Sequence, residues 1–313
     1  MRLLRRFDAC AQLRAGSVVT IGNYDGVHLG HRALIALVCE ESRRLGLPSC
    51  VMSFEPMPSE FFGQRGETPG RLSTWRERYE QIKLAGIDVL YLEPFSHSTA
   101  NMTAEEFIEK VLVAALNVKL LYVGDDFQFG KGRKGDVRML REAGQKYGFE
   151  LHEMSSVQVD HQRVSSTAIR EHLLAGDLDA AAQMLGRRYA MSGRVVHGQH
   201  LGATLGFPTA NIRPRRNSLP LTGIFAVRVY GAHPAGPIDG VANLGYRPTV
   251  GGGEALLEAH LLDFHGDLYG RRLNVEFIAK LREEEHFATV ELMVSQMHLD
   301  EAQARAALKK IAS

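Results

Sequence analysis

Cysteine is scarce: three in 313 residues, at Cys10, Cys39 and Cys50, an odd number without framework or metal-ligand spacing. This excludes a disulfide-stapled scaffold and fits reduced thiols in a cytoplasm. Net charge is also nearly absent. Lys and Arg number 37 against 36 Asp and Glu, leaving +1, so no electrostatic field recommends nucleic acid or a membrane surface as partner. No apolar run approaches a membrane span, and charges interrupt the basic start MRLLRRFDACAQLR before the apolar core of a signal peptide can form. Repeats and low-complexity segments are absent, as is a G-x-x-x-x-G-K-[ST] phosphate loop. The expectation is a soluble, cytoplasmic chain, 45% apolar and 23% charged, of about two domains.

The stretch VVTIGNYDGVHLGH, Val18–His31, carries the densest signal. Val18, Val19 and Ile21 suit a buried strand that Gly22 ends, and Asn23, Asp25 and Gly26 make a turn. Apolar residues return at helical spacing from Leu34, so a helix should begin near His28–Gly30. His28 and His31 then share one face of its first turn, beside free N–H groups and the positive helix end. Such a place suits nucleotide phosphates, and Gly30 lets a phosphate approach the backbone. Two histidines could also be half a metal site, but no ligand at suitable spacing accompanies them. The string resembles the H-x-G-H signature of the nucleotidyltransferase superfamily.

Further along, Cys50–Phe54, Ile87–Leu92, Leu120–Val123 and Phe149–Met154 read as strands. Helical patterns over Thr74–Leu84, Thr103–Leu116 (opened by a Thr103/Glu106 capping box) and Val137–Tyr147 lie between them. Alternation of this kind implies a mostly parallel sheet that binds ligands at the carboxyl ends of its strands. Two short helices, Ser166–Ala175 and Leu178–Leu185, follow. From about Arg187 the texture becomes β-rich: Ala190–Val196, Ile224–Tyr230, Val241–Leu244, Leu256–Phe264 and Leu273–Leu281, without helices between. That pattern suggests an antiparallel barrel or sandwich. Thr289–Ile311 is helical, with Asp300 expected as a second N-cap. Two domains are expected, 1–186 and 187–313.

Other segments are ambiguous alone. GDDFQFGKGRKGD, Gly124–Asp136, contains a formal G-x-G-x-x-G, but six residues separate it from the strand end, so it is read as a decoy. Its Lys131, Arg133 and Lys134 make a flexible basic loop, suited to phosphates or simply to solvent. In VSSTAIR, Ser165, Ser166 and Thr167 open a helix with Arg170 one turn on, either as caps or as phosphate ligands. In GFPTANI, Pro208 fixes the backbone, and Thr209 and Asn211 face one way on a strand, where they could ligate Mg2+. Gly198, Gly202 and Gly206 upstream would let backbone wrap phosphates. Glu258 and His260 share the polar face of their strand. The cluster Arg213-Pro214-Arg215-Arg216 is expected to be a solvated loop.

The succession GNYDGVHLGH, SFEPMP, VGDDFQFGKGRKG and VSSTAIREHLLAGD, continued by LGRRYAMSGRVVHG, LGFPTANI, GVANLGYRPTVGG and EAHLLDFHGDLYGRRLNVEF, resembles the bifunctional bacterial riboflavin kinase/FMN adenylyltransferase family. The resemblance implies a Rossmann-like α/β nucleotidyltransferase domain followed by an antiparallel β-barrel with a C-terminal helix. It implies that His28, His31 and Arg170 act in adenylyl transfer and that Gly22, Asn23, Asp25, Gly30 and Asp126 line the nucleotide pocket. It implies that Arg133, Ser165, Ser166 and Thr167 attend the phosphates, and that Phe54, Glu55 and Pro56 lie near the flavin. The family usually has His where Met57 stands.

In the second domain the resemblance implies riboflavin kinase chemistry. Thr209 and Asn211 would hold Mg-ATP beside Gly198 and Gly202, and Glu258 would be the base. The family often has Arg where Ala203 stands and Pro where Arg188 stands. The implied substrates are riboflavin, FMN and ATP, with Mg2+; nucleic acid and membrane are not expected partners, and oligomeric state is left open. Two rivals remain: an adenylyltransferase for another phosphate ester with an accessory barrel, and a flavin-binding regulator without turnover.

Overall fold

The computed structural model describes residues 1–5, 13–63, 69–198, 201–216, 218–247 and 254–312. Cys10 and part of the GVANLGYRPTVGG motif lie outside the described residues. The chain divides into two compact units, one of residues 1–68 with 75–165, the other of residues 69–74 with 166–313.

The first unit is a six-stranded parallel sheet. Its strands are β1 (Arg2–Leu4), β2 (Ser17–Ile21), β3 (Ser49–Glu55), β4 (Val89–Pro94), β5 (Val118–Gly124) and β6 (Glu150–Met154), in spatial order β1-β4-β3-β2-β5-β6. Helices α1 (Leu29–Leu45), α2 (Pro58–Phe62), α3 (Trp75–Leu84), α4 (His97–Asn101), α5 (Ala104–Glu106) and α6 (Val137–Tyr147) connect them. A π-helical stretch, Phe107–Ala115, continues α5, whose N-cap is the expected Thr103/Glu106 capping box. Alternate strand residues feed two cores. Val18, Val51, Leu90 and Leu120 pack with Leu34, Ile35 and Val38 of α1, while Val19, Met52, Tyr91 and Leu121 pack with Val111, Leu112 and Leu140. Strand order reverses between β2 and β5, so the carboxyl ends of these two strands form the topological switch point. A small hairpin, β7 (Gln158–Val159) and β8 (Gln162–Arg163), closes the unit.

The second unit opens with α7 (Ser166–Leu174) and α8 (Leu178–Leu185). Then β9 (Ala190–Val196), a helical turn α9 (Leu201–Thr204), β10 (Thr209–Ile212), β11 (Gly223–His233), β12 (Gly236–Arg247), β13 (Glu254–Leu261) and β14 (Arg272–Arg282) follow. The strands close into an antiparallel barrel in the order β10-β13-β12-β11-β14-β9. Phe225, Val227, Ala242, Leu244, Leu257, Ala259, Val275 and Phe277 fill its interior and are fully buried. The long C-terminal helix α10 (Val290–Ala312) lies on the outer wall, where Ala304 and Leu308 pack on Ala226 and Ile278.

Three expectations are corrected here. Asp300 caps nothing: α10 runs through it unbroken, and its buried carboxylate accepts from Arg282 Nε (2.9 Å) and Nη2 (2.8 Å) and from Gln296 Nε2 (2.9 Å). Arg216 is not solvated. Its guanidinium is buried and donates to the backbone oxygens of Arg71 (3.2 Å), Pro214 (3.1 Å) and Leu72 (3.0 Å), tying residues 69–74 into the second unit; Arg213 and Arg215 are exposed as expected. The basic loop, expected to be flexible, is an ordered turn, closed by a Phe129–Gly135 bridge and a short 3-10 turn at Lys131–Arg133.

Candidate active sites

In the first unit the switch point is occupied by the Gly22–His31 turn. β2 is wholly buried and delivers Gly22 to its carboxyl end. The turn then takes left-handed conformations at Tyr24 (φ 51°), Gly26 (φ 80°) and Val27 (φ 43°). Val27 is β-branched, so this backbone is strained, as expected where chain direction serves a site and not stability. Tyr24 is fully buried, its hydroxyl sharing a hydrogen bond with Thr20 Oγ1 (2.7 Å), and burial pushes its ionisation well upward.

His28 is the N-cap of α1, and its Nδ1 accepts from the His31 backbone N–H at 3.4 Å. Accepting at Nδ1 leaves the neutral ring's proton on Nε2. The His28 and His31 rings stack 3.6 Å apart, with the Tyr24 ring 4.8 Å from His31. Desolvation among these rings, then the electrostatic influence of His28 and Arg78, hold His31 well below the ordinary histidine range. Its Nδ1 is buried and without a hydrogen-bond partner among the described residues. The expected placement of both histidines on one face of the first turn is what the structure contains.

Asn23 and Glu55 are joined by a residue that the sequence did not single out. Arg78 of α3 is 1% exposed; its Nη1 donates to Asn23 O (2.7 Å) and Ser53 Oγ (2.9 Å), and its Nη2 to Phe54 O (3.1 Å) and the Glu55 carboxylate. One guanidinium thus fixes the carboxyl ends of β2 and β3. Asp25 is buried, whereas Asn23 is exposed. Past Pro56, Met57 is buried and its N–H donates to Glu60, while Phe54, Phe61, Phe62 and Phe95 form an edge-to-face aromatic cluster.

Asp126 and Arg133 are exposed along one depression, and Arg163 donates to Asp126 at 2.6 Å. In the glycine pattern read as a decoy, a Cβ on Gly135 would lie 2.7 Å from the Phe129 ring, so this glycine serves packing. Ser165 ends the first unit. Ser166, Thr167 and Arg170 belong to the second, where Arg170 Nε donates to Gly70 O (2.7 Å).

The second unit holds a cavity of about 360 Å³ between the outer barrel wall, α10 and the turn after β14. Strand register sets its floor. Asn211 of β10 pairs with Glu258 of β13, Glu258 with Asn243 of β12, and Asn243 with Ile224 of β11, giving one row across four strands. Thr209, His260, Val241 and Ala226 form the next row. The expected sharing of a face by Thr209 and Asn211, and by Glu258 and His260, is therefore observed, and all four line the cavity.

Gly202 also lines it, and Gly198 lies over Asn211, where a Cβ would come within 2.5 Å of the amide. Asn211 Oδ1 is buried and unpartnered among the described residues. A buried, orphaned amide oxygen next to a threonine hydroxyl is a hard-oxygen donor set that suits Mg2+. The lining also includes the apolar side chains of Ile224, Phe287, Met293 and Met297, and beyond Ile224 in the row stands Arg282, paired with Asp300. Asn243 and Arg282 line the cavity without having been singled out from sequence, and Asp300, expected only as a helix cap, lines it too.

A parallel sheet with an H-x-G-H turn at its switch point, joined to a closed barrel with a polar row beneath a helix, defines a two-site transferase of nucleotide chemistry. Residues 10–168 match the family model described as FAD synthetase, and residues 185–308 match riboflavin kinase. The chain belongs to the bifunctional riboflavin kinase/FMN adenylyltransferase family. It is 45% identical to that enzyme of Escherichia coli strain K12 over 97% of both chains, and 45% identical to that of Pseudomonas fluorescens over 98% of this chain and 97% of the relative. A crystal structure described as a macrolide-efflux protein from Streptococcus pneumoniae matches with a TM-score of 0.80 at 28% identity, over 97% of this chain and 99% of that one. No helix among the described residues is long and apolar enough to cross a membrane.

Proposed function

We propose that the chain performs two consecutive transfers: riboflavin and Mg-ATP give FMN and ADP, then FMN and a second ATP give FAD and pyrophosphate. We assign the first to residues 187–313 and the second to 1–186. The observation that carries this reading is the match of one chain to both families, over residues 10–168 and 185–308.

For phosphoryl transfer, Glu258 takes the proton of riboflavin's terminal hydroxyl as its oxygen attacks the γ-phosphorus and ADP departs. Thr209 and Asn211 would hold Mg2+, which neutralises developing phosphate charge when bound. The apolar side chains of the cavity lining receive the flavin ring. For adenylyl transfer, an FMN phosphate oxygen attacks the α-phosphorus of ATP and pyrophosphate leaves. His28 and His31 donate to the phosphate oxygens as charge develops, a preorganised arrangement needing no covalent intermediate. Gly22, Asn23, Asp25, Gly30 and Asp126 are assigned to the nucleotide. Arg133, Ser165, Ser166, Thr167 and Arg170 are assigned to phosphates, and Phe54, Glu55 and Pro56 to the flavin.

Incubation with riboflavin and Mg-ATP, followed by separation of riboflavin, FMN and FAD, tests the assignment. Both products should form in sequence. Absence of FMN would favour an adenylyltransferase with an accessory barrel, and absence of both a flavin-binding regulator.

A further inference from the structure

Asn243 has no part in the chemistry just described, yet it occupies the centre of the cavity floor. It sits beside Glu258 on the neighbouring strand, and its far neighbour in the same row is Ile224. Its Oδ1 is buried and has no hydrogen-bond partner among the described residues. A buried carbonyl oxygen left this way costs stability relative to a satisfied one, so a ligand donor is its natural complement.

The order along the row says which donor. Asn211, the metal candidate, lies at one end, then Glu258, then Asn243, then the apolar Ile224. A flavin with its terminal hydroxyl at Glu258 and its ring against Ile224 lays its polyol chain over the strand between. Neighbouring strands are about 4.8 Å apart, so Asn243 lies one strand away from the base, on the side opposite Asn211. Glu258 stands between the two amides, which separates Asn243 from the metal and phosphate end.

We infer that Asn243 is a specificity-determining residue of the kinase site, its Oδ1 accepting a hydrogen bond from a secondary hydroxyl of the ribityl chain. This rests on the kinase reading above and deepens it. A hydroxyl at that position satisfies the orphaned oxygen; a substrate without it leaves the oxygen buried and unpaired. The site thereby selects a flavin bearing a polyol over one with a plain alkyl alcohol, a distinction that Glu258 alone cannot make.

The test compares riboflavin with the three monodeoxy riboflavins, each lacking one secondary hydroxyl, in the full-length enzyme. Binding is read by quenching of flavin fluorescence with Mg-ADP present, and turnover by phosphorylated product. Wild-type enzyme should bind one of the three more weakly by roughly tenfold to a hundredfold. Asn243→Ala should bind riboflavin and that analogue equally, with the KM for Mg-ATP unchanged. Asn243→Ser, which keeps an acceptor, should restore part of the discrimination. Equal binding of all four flavins by the wild type would overturn the inference while leaving the kinase reading intact. So would a rise in the KM for Mg-ATP, in place of riboflavin, on Asn243→Ala. Failure of the wild type to phosphorylate riboflavin would remove both.

Discussion

The two candidate sites are built in opposite ways. The first unit draws its core from one continuous stretch, in which strand end, turn and helix N-cap place His28 and His31 within three residues of each other. The second draws its core from four strands, with Asn211, Glu258, Asn243 and Ile224 aligned only by register. A contiguous site is robust to register but depends on strained local backbone. A register-built site needs no strained turn, but a one-residue slip of β13 would turn Glu258 away from the cavity. The first therefore suits recognition of phosphates shared by many nucleotides, and the second a substrate laid across the strands.

If the sites are separate, single substitutions should split the activities. The largest effect is expected from Glu258→Gln, which removes the base while keeping the shape. Riboflavin phosphorylation at saturating Mg-ATP should fall about 10²–10⁴-fold, with FAD synthesis from supplied FMN unchanged. Single-turnover phosphorylation checks it; near-normal turnover would remove Glu258 from the role. His28→Ala or His31→Ala should lower FAD formation from FMN by roughly a hundredfold or more, riboflavin phosphorylation persisting. Steady-state rates for both half-reactions decide the matter.

Arg78→Met sharpens the contrast differently, because it attacks what holds the contiguous site together. It strands Asn23 O, Phe54 O and Glu55 without their shared donor, so thermal denaturation should show a loss of about 3 kcal/mol, with FAD formation impaired before phosphorylation. The smallest effect is pH-dependent. His31 in the folded protein stays neutral well below the usual 6.5, whereas the unfolded chain protonates it near that value. Its contribution to stability is thus whole above 6.5 and lost as pH falls towards the folded pKa, at most about 1.4 kcal/mol per pH unit. Thermal melts of His31→Asn should show a shallower acid limb than the wild type.

The same contrast explains what could be read from sequence. Local signals carried the helix Val137–Tyr147, the Thr103/Glu106 capping box, the start of α1 and the strand Ala190–Val196 to within a residue or so. Period-two alternation put Glu258 and His260 on one face. What escaped was non-local. An aspartate inside a helix looks like a cap until its partner Arg282, eighteen residues away, is brought to it. Arg216 looks solvated until the carbonyls of Arg71 and Leu72 reach it from a distant part of the chain. Asn243 is one polar residue in an apolar run, and only register places it beside Glu258. Arg78 reads as an ordinary charged residue of an amphipathic helix, since its backbone acceptors have no sequence signature. The three-residue β1 and the five-residue α2 and α4 are too short for periodicity to register.

The central claim is that one chain carries two chemically independent sites. Its most direct test assays Glu258→Gln and His31→Ala side by side, each for FMN formation from riboflavin and for FAD formation from supplied FMN, with folding checked by circular dichroism. A crossed pattern is predicted: Glu258→Gln loses only the first activity, and His31→Ala only the second. Loss of both activities in either correctly folded variant would contradict it.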